Sequence, residues 1–343
     1  MSLSILVTAI VIIGLVFALS NGLHDASSVV ATFISSGAAT PRRAILLASV
    51  FGILGAVFGG TAVADTISGV IDLPHDTGLL PVLLSALLGA VLWNLVTWRF
   101  GLPSSSTHAL IGGIIGAVIV SSGGNHVLWG WAELISGGQI TGIMKVILAL
   151  VISPLIGFIS AFLLGKVTSL LLRNAKFALN KWLMRLQWLF AAGLSFSHGA
   201  NDTQKITGML TLALIAGGNA AIQSVPLWVK LSGGAVMFLG TMLGGWSIMK
   251  TIGRGIFQIR PIHSLNSQLA SVGSIFGATL LGAPVSTTHV VVGSVMGVGA
   301  ADEYRMVHWH TVKEIVIAWF ITIPLSALAA ALIYTLYRLL FIG

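Results

Sequence analysis

Apolar residues run along this chain in long blocks broken by short polar stretches, and the block lengths set the elements. Segments near 2–20, 43–63, 79–98 and 143–165 are almost free of charge. Each is close to the roughly 20 residues that an α-helix needs to cross a bilayer. The pattern resumes near 188–196, 228–249, 265–282 and 312–341. Four shorter Gly/Ser/Thr-rich apolar pieces, 26–38, 108–121, 203–217 and 289–300, cannot span alone and predict half-helices or re-entrant segments. Between the two sets lies "KVTSLLLRNAKFALNKWLMRLQ", 166–187. There Lys166, Arg173, Lys176, Lys181 and Arg185 recur among Leu, Phe and Trp, which predicts an amphipathic helix at the membrane interface.

Composition sharpens this into a class. Of 343 residues 56% are hydrophobic and 8% charged, where a soluble domain carries about 25% charged residues. Mean hydropathy is +1.01. The expectation is an all-α, multi-pass protein of the cell membrane, surrounded by lipid bilayer. A β-barrel would need alternating segments of about ten residues, and stretches such as Ala44–Ala64 do not alternate. The N-terminal segment is long and lacks a basic leader, so it reads as the first span rather than a signal peptide. The 41 glycines suit close approach of membrane helices. The net charge of +8 gathers in a few loops, as orientation in a membrane requires, and does not point to nucleic acid. With no cysteine, disulfides, thiolate metal sites and thiol catalysis are excluded.

The chain also repeats itself. "NGLHDASSVVAT" at 21–32 aligns with "HGANDTQKITGM" at 198–209, placing Asp25 over Asp202. "LPSSSTHALIGGIIGA" at 102–117 aligns with "APVSTTHVVVGSVMGV" at 283–298, placing Pro103 over Pro284, Thr107 over Thr288 and His108 over His289. Pro154 and Pro324 recur in the closing segment of each half. Two membrane repeats, 1–165 and 188–343, are therefore expected on either side of a basic cytoplasmic linker, 166–187. Loops of the first half carry Asp65, Asp72, Asp76 and Glu133, where the second half has Lys250, Arg254 and Arg260. Opposite charge in equivalent loops predicts inverted topology, an architecture of many secondary transporters.

Asp25 and Asp202 are the two acids that lie beside repeated motifs within apolar sequence. A carboxylate inside a bilayer costs about 2.5–3.5 kcal/mol on insertion scales, so each calls for a cation, a proton or a basic partner. The plainer reading is that each caps the helix that follows it. Asn and His exchange places around them, Asn21 and His24 in the first copy against His198 and Asn201 in the second. Asn and Asp oxygens suit Na⁺, and His holds or passes a proton. No tight ligand spacing supports zinc, so no metal site is expected. The hydroxyls of Ser104, Ser105, Ser106 and Thr107, and of Ser286, Thr287 and Thr288, lie at helix starts after a proline. Free N–H groups and the positive dipole end favour an anion there, while simple capping accounts for either copy taken singly. His108 and His289 close these turns and either orient them or touch substrate. Lys205 is the nearest cation, as a tether, a partner for Asp202 or a snorkelling residue. An anion beside carboxylates needs accompanying cations, and co-transported positive charge also draws it inward against an inside-negative potential.

At these residues the chain resembles the PiT family of inorganic phosphate transporters, over nearly its whole length. The resemblance rests on "NGLHDASSVVAT" and "SHGANDTQKITGM" and on the two Pro-Ser/Thr-His turns. It implies uptake of inorganic phosphate with Na⁺ or H⁺, by alternating access, as a homodimer, with no resident cofactor and no enzymatic reaction. By carry-over, Asn21, Asp25, Asn201 and Asp202 would serve the cations, with Asn201 also reaching phosphate. Ser105, Ser106, Thr107, Gln204, Ser286, Thr287 and Thr288 would line the anion site. His24 stands where sodium-coupled members often carry Asn, which leaves the coupling ion open. A sulfate or metal–phosphate permease of the same architecture, and a membrane metallohydrolase, are the alternatives.

Overall fold

Inside a bilayer each backbone N–H and C=O must find its partner within the chain, which favours helices. The structure, a computed structural model, describes residues 3–219 and 221–341, and within them it is helical. In the first half, α1 (Leu3–His24) passes through a turn at Asp25 into α2 (Ala26–Ser35). There follow α3 (Pro41–Phe58), α4 (Ala62–Ser68), α5 (Leu79–Phe100), α6 (Ser106–Ser122), the short α7 (Trp131–Gly137) and α8 (Gly142–Leu171). The second half has α9 (Leu179–Ala216), α10 (Leu227–Leu243), α11 (Trp246–Lys250), α12 (Pro261–Leu280), α13 (Thr287–Glu303) and α14 (Trp309–Phe341). Among the described residues five helical stretches are long and apolar enough to cross a membrane, six if α10 and the α11 segment, bent by 68°, form one span.

The two halves interlace. The motif helix α6 packs along α14, and its counterpart α13 packs along α8; α3 lies on α9, and α10 on α1. Glycine makes the closest crossings. A Cβ at Gly112 or Gly116 of α6 would meet the carbonyls of Ile323 and Ala327, and one at Gly293 or Gly297 of α13 those of Pro154 and Phe158. Pairs of small residues one turn apart let membrane helices approach backbone to backbone. The outer faces carry bulk instead. Leu155, Ile159 and Leu163 on α8 and Phe320, Leu328 and Leu332 on α14 are exposed, while Ser153, Gly157, Ala161, Thr322 and Ser326 are buried. Apolar outside and small or polar inside is the pattern of helices that face lipid.

Two expectations change. The basic stretch 166–187 is not one amphipathic helix: α8 runs to Leu171, a turn follows, and α9 begins at Leu179. The piece 203–217 is not a separate half-helix either, because α9 continues unbroken through Asp202. In the first copy α1 and α2 make one helical stretch, Leu3–Ser35, interrupted by the turn at Asp25, where Ser27 and Ser28 donate to the Leu23 and Asp25 carbonyls at 2.9 and 2.6 Å. In the second copy Lys205 stands at the place of Ser28 and points its ammonium elsewhere.

Candidate ion and substrate site

Proline at 103 and 284 holds the preceding chain extended, and the last three hydroxyl residues of each turn take three different tasks. Ser105 and Ser286 cap α6 and α13, accepting from the backbone N–H of His108 at 3.2 Å and of His289 at 3.3 Å. For these two the plain capping reading holds. Ser106 donates to the Asp25 carboxylate and lies 3.3 Å from Asn21 Oδ1. Its counterpart Thr287 donates to Asp202 Oδ2 at 3.0 Å. Thr107 and Thr288 reach across to the other half. Thr288 donates to Asp25 Oδ1 at 2.7 Å, whereas Thr107 accepts from Lys205 Nζ at 2.6 Å.

Asp25 makes no side-chain cap to α2, so its carboxylate is spent on the site. The exchange of Asn and His between the copies now has a geometric account. His24 Nε2 lies 3.1 Å from the Leu102 carbonyl and 3.2 Å from the Thr97 hydroxyl. Asn201 Nδ2 makes the equivalent ties, 3.2 Å to the Ala283 carbonyl and 2.9 Å to the Thr279 hydroxyl. One member of each pair anchors the turn; the other, Asn21 or His198, contacts the hydroxyl that binds the carboxylate, with His198 Nδ1 3.2 Å from Thr287 and 2.9 Å from Asp202. A carbonyl only accepts, so His24 carries its proton on Nε2. The Thr97 and Ser104 hydroxyls have acceptors of their own, in the Trp93 carbonyl and in Thr97. His24 Nδ1 then faces Asp25 Oδ1 across 3.2 Å, a contact that calls for one further proton between them.

Lys205 is fully buried and bonded to Asp202 Oδ1 at 2.5 Å and to the Val285 carbonyl at 2.7 Å, besides Thr107. It therefore partners Asp202 and does not snorkel. Asp25 has no such cation; among the described residues its one ion-pair partner is His24. The rings of His108 and His289 lie 4.7 Å apart, and His289 stacks on Trp319 at 3.8 Å. Nδ1 of His108, both ring nitrogens of His289, His198 Nε2 and Asn201 Oδ1 are buried with no hydrogen-bond partner. Unpartnered buried polar atoms are rare, and five of the ten among the described residues are on these motif residues, leaving capacity there for a polar ligand. Among the described residues no cluster of three His, Asp or Glu side chains could hold a metal ion.

Gln204 stands apart. Its Oε1 accepts from the N–H of Val63 at 2.8 Å and its Nε2 donates to the Gly59 carbonyl at 2.8 Å, so it bridges the break between α3 and α4. The structure brings the other motif residues together. To them it adds Lys205, Ser28, Thr97, Thr279 and Trp319, which the motifs alone did not assign to the site. For Ser28 and Lys205 the signal was present in the repeat, since each follows its Asp by three residues.

The phosphate transporter family matches residues 21–184 and 174–330. A probable low-affinity inorganic phosphate transporter of Bacillus subtilis (strain 168) is 41% identical over 343 residues, covering 99% of each chain. One of Rhizobium meliloti (strain 1021) is 39% identical over 332 residues and covers 96% of each chain. Among solved structures, one described as the sodium-dependent phosphate transporter superposes with a TM-score of 0.87 at 27% identity, covering 98% of this chain and 100% of that one.

Proposed function

The chain belongs to the phosphate transporter family, a multi-pass membrane carrier class rather than an enzyme, and from that premise we propose that it imports inorganic phosphate by symport with a monovalent cation. The observation that carries this is the pair of hydroxyl donors on Asp25, Ser106 from the first half and Thr288 from the second. While the carboxylate is bare, it takes both O–H groups. A cation on Asp25, whether a proton or Na⁺, removes the need for them. The two hydroxyls then turn their hydrogens outward, beside the N-termini of α6 and α13, where an oxyanion is favoured. Cation first, phosphate second is the order this chemistry sets.

Asp25 and Asp202, with Asn21 and Asn201, form the cation side, and the hydroxyls at 105–107 and 286–288 form the anion side. Alternating access follows if two inverted halves, 1–165 and 188–343 about the linker, rock about this shared centre; a homodimer is the proposed assembly. Two observations bear on the ion. The His24–Asp25 contact supports a proton, and the similarity to a sodium-dependent transporter supports Na⁺. The test is ³²P-phosphate uptake into proteoliposomes under separately imposed Na⁺ and H⁺ gradients, with excess sulfate as competitor. Gradient-driven accumulation, lost in Asp25→Asn and insensitive to sulfate, is expected. Uptake without coupling to either gradient overturns symport, and competition by sulfate overturns phosphate selectivity.

A further inference from the structure

The two carboxylates are related by the repeat, and besides the exchange of Asn and His their surroundings differ at a position that holds a charge. Three residues after Asp25 comes Ser28; three residues after Asp202 comes Lys205. Around Asp25 the Thr288 hydroxyl donates directly to the carboxylate at 2.7 Å, with Ser28 Oγ 3.5 Å from it. Around Asp202 the equivalent hydroxyl, Thr107, does not reach the carboxylate. The Lys205 ammonium lies between them, 2.5 Å from Asp202 Oδ1 and 2.6 Å from Thr107 Oγ1, and Thr107 donates instead to the Val285 carbonyl at 3.3 Å.

An ammonium has three N–H donors, and all three are used here: a carboxylate, a hydroxyl and a carbonyl oxygen. None remains for phosphate, so Lys205 is not an anion-binding lysine in this state. Its shell of three oxygen atoms at 2.5–2.7 Å is instead what a small monovalent cation would take. We propose that Lys205 is a resident cation: its ammonium permanently fills, at Asp202, the position that a mobile coupling cation fills at Asp25. This rests on the symport reading above and deepens it, because it assigns the two carboxylates unequal parts. Asp202 is already neutralised, and its crossing hydroxyl, Thr107, is already off the carboxylate. Asp25 awaits its cation, and its crossing hydroxyl is still held.

The consequence is one of counting. A tethered charge returns with the empty carrier, so it adds nothing to the net charge moved per cycle. This pair of sites therefore carries one mobile cation per turnover, not two. Lys205→Ser, which copies Ser28, turns the resident position into a second mobile one. The experiment reads the charge carried per phosphate in proteoliposomes, from the membrane voltage, set with K⁺ and valinomycin, at which net ³²P-phosphate flux vanishes. Lys205→Ser is expected to carry one more positive charge per phosphate than the parent and to need higher cation concentration. An unchanged charge count beside an active parent overturns the resident cation alone, whereas a parent that accumulates phosphate under no cation gradient overturns the symport reading beneath it. A folded Lys205→Ser that stays inactive in Na⁺, acid or methylammonium also overturns the proposal. If that variant does not reach the membrane, Ser28→Lys carries the converse test: one charge fewer per phosphate is expected, and the parental count overturns it.

Discussion

Thr288 Oγ1 donates to Asp25 Oδ1 at 2.7 Å across 263 positions of chain, tying the second hydroxyl turn to the first carboxylate. A hydrogen bond to a charged group contributes about 1.5–3 kcal/mol, which is roughly 10- to 150-fold in an equilibrium. Thr288→Val keeps the shape and removes the donor. Phosphate uptake is expected to fall at least about tenfold, and Thr288→Ser to retain most of it. Initial rates of ³²P uptake, normalised to reconstituted protein, check this. Equal rates in Thr288→Val and the parent would remove Thr288 from the coupling step.

The two aspartates should also differ in what their loss does to folding. Asp25→Asn leaves no buried cation unpaired, because Asp25 faces His24 and two hydroxyls. Asp202→Asn strands the Lys205 ammonium inside the protein. Removing one partner of a buried pair costs about 3–5 kcal/mol. Asp25→Asn is expected to keep the parental Tm in detergent and lose transport. Asp202→Asn should lose both, with Asp202→Asn/Lys205→Met recovering much of the Tm. Thermal unfolding of the purified variants decides it, and equal Tm values for the two single variants would contradict the asymmetry.

Much of this was legible in the residues, and the exceptions have physical causes. The long apolar blocks marked α1, α3, α5, α8 and α14, because lipid-facing sides are bulky and uncharged. The repeat placed Asp25 over Asp202 and turn over turn. What periodicity could not show is continuity through the motifs. Both Asp motifs are polar interruptions, yet Leu3–Ser35 is interrupted only by a turn at Asp25 and α9 runs on through Asp202. Gln204 has the composition of a ligand residue but is spent on the α3–α4 break, a contact some 140 positions away that no local pattern encodes. For Lys205 the sequence leaves a tether, a partner for Asp202 and a snorkelling residue open, and its bonds to Asp202, Thr107 and Val285 select the second.

Glycine at the start of each Asp motif is a packing requirement. A Cβ at Gly22 would strike the Met237 carbonyl on α10, and one at Gly199 the Gly52 carbonyl on α3. Overpacking of this kind costs about 1–3 kcal/mol, and here the obstacle is backbone, which cannot swing aside. Gly22→Ala and Gly199→Ala are each expected to lower Tm by several degrees and reduce the folded yield. Gly273→Ala, where nothing lies within 4 Å, should leave both unchanged. Size-exclusion profiles and thermal unfolding of the three variants measure this.

His24 does two things that one substitution can separate. Its Nε2 anchors the turn at the Leu102 carbonyl, a task that Asn201 performs with an amide in the other copy. Its Nδ1 faces Asp25, and an amide cannot hold and release a proton there. His24→Asn is therefore expected to fold with a Tm within a few degrees of the parent, since the anchor survives. Its uptake should lose the part of the pH dependence that comes from the carrier. The ratio of variant to parent rates at each pH cancels the titration of phosphate itself. That ratio is expected to change steadily with pH. A ratio that stays constant with pH would place the coupling proton elsewhere, and uptake in His24→Asn driven by Na⁺ alone would assign the mobile cation at Asp25 to sodium.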